Sequence, residues 1–303
     1  MEVCLLGTGG MLPLPERHLT SLMVRHGGRS LLIDCGEGTQ VAMRKRKWSP
    51  AHIDAILLTH CHADHVAGLP GLLLSMGNAG HTEPLTLAGP PGTADVAAAV
   101  RVLAPEIPFE LRCHEFEEAE CALDLAGLRV EAFRVLHSVP CYGYSVVLPR
   151  AGRFLPEKAR ALGIPQEMWG QLQRGEAIEH AGETVTPDRV LGAPRRGIRV
   201  TYCTDTRPVP AIEKHAAEAD LLILEGIYGD PAKVEKAREK LHMTMQEAAS
   251  IAARAGVPEL WLTHYSPAMT DPQEYIEDVR AIFPGAVAAQ DGQTKELRFA
   301  KNG

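Results

Sequence analysis

Ile56-Leu57-Leu58-Thr59-His60-Cys61-His62-Ala63-Asp64-His65 is an apolar run that stops at three histidines and an aspartate packed into six positions. The run reads as a buried strand. In an extended chain alternate side chains share a face, so His60 and His62 point to one metal while Cys61 faces away. A turn after Ala63 then offers Asp64 and His65 to another. Imidazoles and a carboxylate without thiolate suit Zn²⁺ or a similar divalent ion. Gly68-Leu69-Pro70-Gly71 reads as the turn that closes the segment.

His-x-His-x-Asp-His behind a buried strand resembles the signature of the metallo-β-lactamase fold, an α/β architecture in which an αββα sandwich carries its ligands at strand ends. The resemblance implies three later ligands, and a candidate stands at each place. His137 ends the run Val130 to Leu136, Asp205 follows the run Ile198 to Cys203, and His264 follows Leu260-Trp261-Leu262-Thr263. It further implies that His60, His62 and His137 hold one metal, Asp64, His65 and His264 the other, and that Asp205 bridges them. Two divalent ions about 3.5 to 4 Å apart lower the pKa of water toward roughly 7 and clamp an in-line displacement. The implied reaction is hydrolysis of an ester, amide or phosphodiester, with Zn the expected metal and Mn the alternative.

Size and composition agree with an enzyme of the cell interior. The chain has 303 residues, 45% of them hydrophobic, enough for one large core. It has no run apolar enough to span a bilayer, and its start, Met1-Glu2-Val3-Cys4-Leu5-Leu6-Gly7, reads as a first strand. Seven scattered cysteines without a Cys-x-x-Cys pair point to a reducing, cytoplasmic setting. Strands are expected over Met1 to Leu6, Leu22 to Arg25, Ser30 to Asp34 and Ile53 to Thr59. Helices are expected over Thr93 to Leu103 and, behind a threonine cap, Thr244 to Ala255.

One domain over 1–303 is therefore expected, interrupted at about 149–197 by a segment of different texture. That stretch is rich in Pro, Gly and charge, with a short helix over Pro156 to Leu162. Between Pro149 and Arg199 lie nine basic and six acidic side chains, a net of plus three in a chain of net charge −7. A basic limb on an acidic body fits a protein whose limb and metal cleft meet a polyanion. Loops this long are uncommon in compact domains without a role.

Leu155-Pro156-Glu157-Lys158-Ala159-Arg160-Ala161-Leu162-Gly163-Ile164-Pro165, followed by Trp169-Gly170-Gln171-Leu172-Gln173-Arg174-Gly175-Glu176, resembles the protruding flexible arm of the ribonuclease Z family, the endonucleases that remove 3′ trailers from precursor tRNA. Leu6-Gly7-Thr8-Gly9, Asp34-Cys35-Gly36-Glu37-Gly38-Thr39-Gln40, Gly68-Leu69-Pro70-Gly71-Leu72-Leu73 and Thr204-Asp205-Thr206-Arg207-Pro208 extend the likeness over nearly the whole chain. The resemblance implies an endoribonuclease that leaves a 3′ hydroxyl on the tRNA and a 5′ phosphate on the trailer. Its partners are precursor tRNA and a second copy of itself. A phosphodiesterase of the same fold acting on small substrates such as cyclic nucleotides is the alternative, since it needs the cleft but not the arm.

The family pattern assigns Asp64 as general base and makes Glu225 and His242 a pair in which the carboxylate orients a histidine near the leaving oxygen. RNA contacts are expected from Arg150, Arg153, Lys158, Arg160, Arg174, Arg195 and Arg196, with Trp169 either stacking on a base or anchoring the arm's own core. The chain departs from the family at Ile164-Pro165-Gln166-Glu167, where a Gly-Pro pair is usual, and at Pro13-Leu14-Pro15-Glu16-Arg17-His18, where Pro-x-Lys-x-Arg-Asn is common. The resemblance ties the first to tRNA docking and the second to handling of the 3′ CCA end.

Overall fold

The computed structural model describes residues 1–300. Its first half contains strands β1 (Glu2–Gly7), β2 (Ser21–His26) and β3 (Arg29–Ile33), helix α1 (Thr39–Lys45), β4 (Ile53–Leu57), α2 (Ala63–Val66), α3 (Leu69–Asn78), β5 (Leu85–Gly89), α4 (Thr93–Leu103) and β6 (Leu111–Glu115). Then come β7 (Glu120–Leu125), β8 (Leu128–Arg134), β9 (Tyr142–Arg150), α5 (Pro156–Ala161), α6 (Trp169–Gln173), β10 (Ile178–His180) and β11 (Glu183–Val185). The last third holds β12 (Arg195–Cys203), α7 (Pro210–Ala216), β13 (Leu221–Glu225), α8 (Val234–Glu239), α9 (Met245–Ala255), β14 (Leu260–Thr263), α10 (Ile276–Ile282), β15 (Ala286–Ala288) and β16 (Thr294–Glu296).

Two seven-stranded sheets form, in the orders β16-β1-β2-β3-β4-β5-β6 and β15-β14-β13-β12-β9-β8-β7. Each is mixed, with β3 to β6 parallel in the first and β12 to β15 parallel in the second. Parallel strands need both faces covered. On the first sheet Ala42 and Met43 of α1, Leu72, Leu73 and Met76 of α3 and Val100 of α4 pack against Leu32, Ile56 and Leu87. On the second, Ile212 of α7, Ala248 and Ala252 of α9 and Val279 of α10 cover Leu222, Leu224 and Leu262. The sheets meet where the Tyr142 amide donates to the Thr59 carbonyl at 2.9 Å and the Tyr144 hydroxyl donates to Leu58. The result is an αββα sandwich.

α9 begins at a complete capping box: Thr244 Oγ1 accepts from the Glu247 amide, and Glu247 accepts from the Thr244 amide. Two local expectations are corrected. Gly68-Leu69-Pro70-Gly71 is not a turn but the N-terminus of α3, with Pro70 in the first turn, where its missing N–H costs nothing. The strand ahead of the histidines stops at Leu57, so His60 and His62 lie on an extended loop rather than in the sheet.

The chain divides into two compact units, Met1–Val147 with Arg199–Arg298, and Leu148–Ile198 with Phe299 and Ala300. The smaller has its own core of Ala159, Ile164, Leu172, Ile178, Val185 and Val190. Trp169 packs against this core, its ring 5.2 Å from Phe154 and its Nε1 donating to the Ile164 carbonyl.

Candidate metal centre

The side chains converge because parallel strands end together. His60 follows β4, Asp205 follows β12, Glu225 closes β13 and His264 follows β14, so four loops at carboxyl ends of strands open onto one place, the usual location of a site in such sheets. Asp205 and His264 hold left-handed backbone conformations, φ 53° and 56°. Non-glycine residues are uncommon in this region, Asp and His less so than most.

Two groups of nitrogen and oxygen atoms result. His60, His62 and His137 form one, with His60 Nε2 3.0 Å from His62 Nδ1 and His62 Nδ1 3.4 Å from His137 Nε2. Asp64, His65 and His264 form the other, with His65 Nε2 3.2 Å from His264 Nε2 and His264 Nε2 3.5 Å from Asp64 Oδ2. Asp205 stands between. Its Oδ1 lies 3.3 Å from His65 and 3.0 Å from His264, while its Oδ2 lies 3.7 Å from His60 and 3.9 Å from His137. All seven predicted ligands are thus together. Cys61 turns away, its sulfur beside Gly92.

These residues fit divalent cations. Three imidazole nitrogens crowd together at His60, His62 and His137, more than one shared proton can serve, and the buried Asp205 Oδ1 accepts no hydrogen bond. The nitrogen separations match the roughly 3.0–3.4 Å edges of polyhedra with metal bonds near 2.1 Å. Burial penalises the His65 cation, yet the carboxylates of Asp34 and Asp205 hold its pKa well above the usual imidazole range. Burial would likewise raise the Asp205 carboxyl, but His264, His65 and His60 hold it well below its usual value. Carboxylates buried among imidazoles in this way form a donor set that suits divalent cations.

Beside the ligands, His242 Nδ1 donates to Glu225 Oε2 at 2.9 Å, and Glu225 Oε1 accepts the Thr206 amide at 2.5 Å. Burial alone would depress His242. Glu225, and more remotely Asp205 and Asp64, lift it instead to about 9. Asp64 Oδ2 accepts the Met11 amide at 2.7 Å. Burial would raise the Asp64 carboxyl, but the His264 hydrogen bond and the His65 and His264 charges outweigh it and hold the group below the ordinary carboxylate range.

The sequence did not single out Asp34, Gly10 or Met11 as parts of the site. Asp34 Oδ2 accepts from His65 Nδ1 at 2.9 Å, which aims His65 Nε2 at the centre. A Cβ on Gly10 would lie 2.5 Å from the His264 ring, so only glycine lets the loop seat that ligand. A hint stood in Leu6-Gly7-Thr8-Gly9 and Asp34-Cys35-Gly36, which carry the family likeness without a visible catalytic side chain.

Of the arm candidates, Arg153, Lys158, Arg160, Arg174 and Arg196 are exposed. Arg174 pairs with Glu176 at 2.9 Å, Arg160 lies over the Trp169 ring, Arg195 donates to the Ala151 carbonyl, and Arg150 lies over Phe299.

The model of the β-lactamase superfamily domain matches residues 29–265. Ribonuclease Z of Lachnospira eligens is 54% identical over 303 residues, covering all of both chains. The chain belongs to the ribonuclease Z family. The same enzyme of Lachnoclostridium phytofermentans is 52% identical over all of this chain and 99% of its own. Among solved structures, the short form of human tRNase Z superposes with a TM-score of 0.72 at 26% identity, over 99% of this chain and 100% of the other. As a member of this family of hydrolases the chain is an endoribonuclease.

Proposed function

We propose that this chain removes 3′ trailers from precursor tRNA, using two divalent ions, with Zn²⁺ the favoured metal and Mn²⁺ the alternative. The single observation that carries the reading is Asp205 set between two triads of ligand atoms in a chain similar over its full length to ribonuclease Z. When bound, the ions lower the pKa of water and withdraw charge from the phosphoryl group.

The chain's own residues supply the rest. Asp64, its Oδ2 held by the Met11 amide, accepts a proton from the attacking water at Oδ1. His242, oriented at Nδ1 by Glu225, donates from Nε2 to the 3′ oxygen that leaves. The tRNA keeps a 3′ hydroxyl and the trailer a 5′ phosphate. Exposed cations of the smaller unit, Arg153, Lys158, Arg160, Arg174 and Arg196, hold the phosphates of the tRNA body, helped by Arg150 and Arg195. Trp169, packed on that unit's core, shapes the limb rather than stacking on a base.

We read the protein as a cytoplasmic homodimer. All seven cysteines are free thiols, which supports a reducing setting, and no helix among the described residues is long and apolar enough to cross a membrane. Val41 of α1 and Leu74 of α3, 47% and 42% exposed on neighbouring helices, support self-association. Light scattering should give twice the 32.8 kDa chain mass, and a monomer that processes tRNA would remove the dimer from the reading.

The test of function incubates the purified protein with a trailer-bearing tRNA precursor, with bis-p-nitrophenyl phosphate and with a cyclic nucleotide, each with and without chelator. Chelator-sensitive cleavage of the precursor is expected, with elemental analysis giving two ions per chain. Turnover of the cyclic nucleotide with the precursor left intact would replace the reading by a small-substrate phosphodiesterase.

A further inference from the structure

A cavity of about 580 Å³ opens over the candidate metal centre. Its lining includes His62, Asp64, His137, Asp205 and His242 together with Lys236 and Lys240 of the α8 segment. These two lie four residues apart, so they project from one face of the helix. α8 is firmly seated: Ala237 is fully buried with Ile227 and Tyr228, and the Ala237 carbonyl accepts the His242 amide at 2.8 Å. The turn that carries the lysines and the histidine proposed to protonate the leaving oxygen are one piece of structure.

The two ammonium groups are placed but not consumed. Lys236 Nζ lies 5.5 Å from the centre of the Tyr228 ring and, among the described residues, within salt-bridge distance of no carboxylate. Lys240 meets its neighbour Glu239 at 3.2 Å, an exposed pair of the kind worth little in water and readily exchanged. Both side chains are exposed. The chain as a whole carries a net charge of −7. Cations turned into the reaction cavity of an acidic chain meet a polyanion there or nothing. An ammonium on a flexible stem suits a phosphate as a point charge.

We propose that Lys236 and Lys240 form a clamp for the RNA strand, holding the phosphate 5′ to the nucleotide that leaves through its 3′ oxygen. The inference rests on the reading of this site as a ribonuclease. The side of the cut follows from His242: the lysines are built onto the same turn as the group assigned to the leaving oxygen, so they meet the strand on that side. These are substrate-positioning residues that set preference for a polynucleotide over a small diester.

The test pairs protein and substrate changes in one cycle. Lys236→Gln, Lys240→Gln and their double variant are compared with the unsubstituted enzyme on a tRNA precursor and on the same precursor with a neutral methylphosphonate at the linkage 5′ to the leaving nucleotide. Alone, the double substitution and the neutral linkage should each lower kcat/KM about tenfold or more, chiefly through KM. Combined, they should lower it little further, because partners of one contact are not additive. The double variant should also flatten the salt dependence by about one to two units of slope. Lys236→Arg with Lys240→Arg should recover most of the activity. Additive losses, or no loss from either change, would overturn the clamp. Failure of the unsubstituted enzyme to cut the precursor would overturn the ribonuclease reading and the clamp together.

Discussion

Asp34 accepts the Nδ1 proton of His65 at 2.9 Å, through a carboxylate with no exposed surface that also accepts from the Thr59 amide at 2.8 Å and its hydroxyl. The pair fixes the His65 tautomer and leaves Nε2 free to face Asp205 and His264. Outer partners of this kind are typically worth about 10- to 100-fold in metal affinity. Asp34→Asn should therefore weaken metal binding by that factor, measured by competition against a chromophoric chelator. Unchanged affinity would make the pair a folding contact alone.

His242→Ala removes the proton donor assigned to the leaving oxygen and leaves all seven proposed ligands in place. Turnover of the tRNA precursor should fall about 10²- to 10⁴-fold while elemental analysis still finds the full metal content. Loss of metal in this variant would identify His242 as a structural support of the centre instead.

Glu247 joins two features: it completes the α9 capping box and pairs with Arg207. Burial raises its carboxyl, but the hydrogen bonds and charge of Arg207 and the Thr244 amide outweigh this and hold it below its ordinary value of 4.5. A depressed carboxyl stabilises the fold above its unfolded pKa, and the contribution is lost as pH falls through the folded one. Glu247→Gln should cost about 1–3 kcal/mol at pH 7, read from urea midpoints. The gap from the unsubstituted protein should close as pH drops below 4.5. A gap independent of pH would assign the effect to shape rather than charge.

In the smaller unit, replacing Arg153, Lys158 and Arg160 with Gln should raise KM for the precursor. It should also reduce the slope of log affinity against log salt by about two to three, near 0.7–0.9 for each phosphate released. If slope and KM stay as they were, tRNA is held elsewhere.

Convergence of the seven proposed ligand side chains was legible because the His60 to His65 cluster, His137, Asp205 and His264 stand behind four apolar runs, each of which forms a strand. His60 could be placed without knowing that its strand stops at Leu57, since an extended loop alternates its side chains as a strand does. Gly68 to Gly71 misled because Pro and Gly punctuate turns and helix starts alike; here the chain must cross so close to Gly36 that a Cβ on Gly68 would lie 2.1 Å from its carbonyl oxygen. Asp34 was hidden because its role depends on β3 lying beside β4, which brings it to a histidine 31 residues away. Lys236 and Lys240 look like any charged helix face until α8 is set against the cavity. The Met11 amide has no side-chain signature at all.

The central claim, that water rather than the RNA's own 2′ hydroxyl is activated at this centre, is tested most directly by identifying the termini made on a precursor tRNA with a defined trailer. Mass spectrometry of both fragments should find a 3′ hydroxyl on the tRNA and a 5′ phosphate on the trailer. A 2′,3′-cyclic phosphate on the tRNA with a 5′ hydroxyl on the trailer would contradict it.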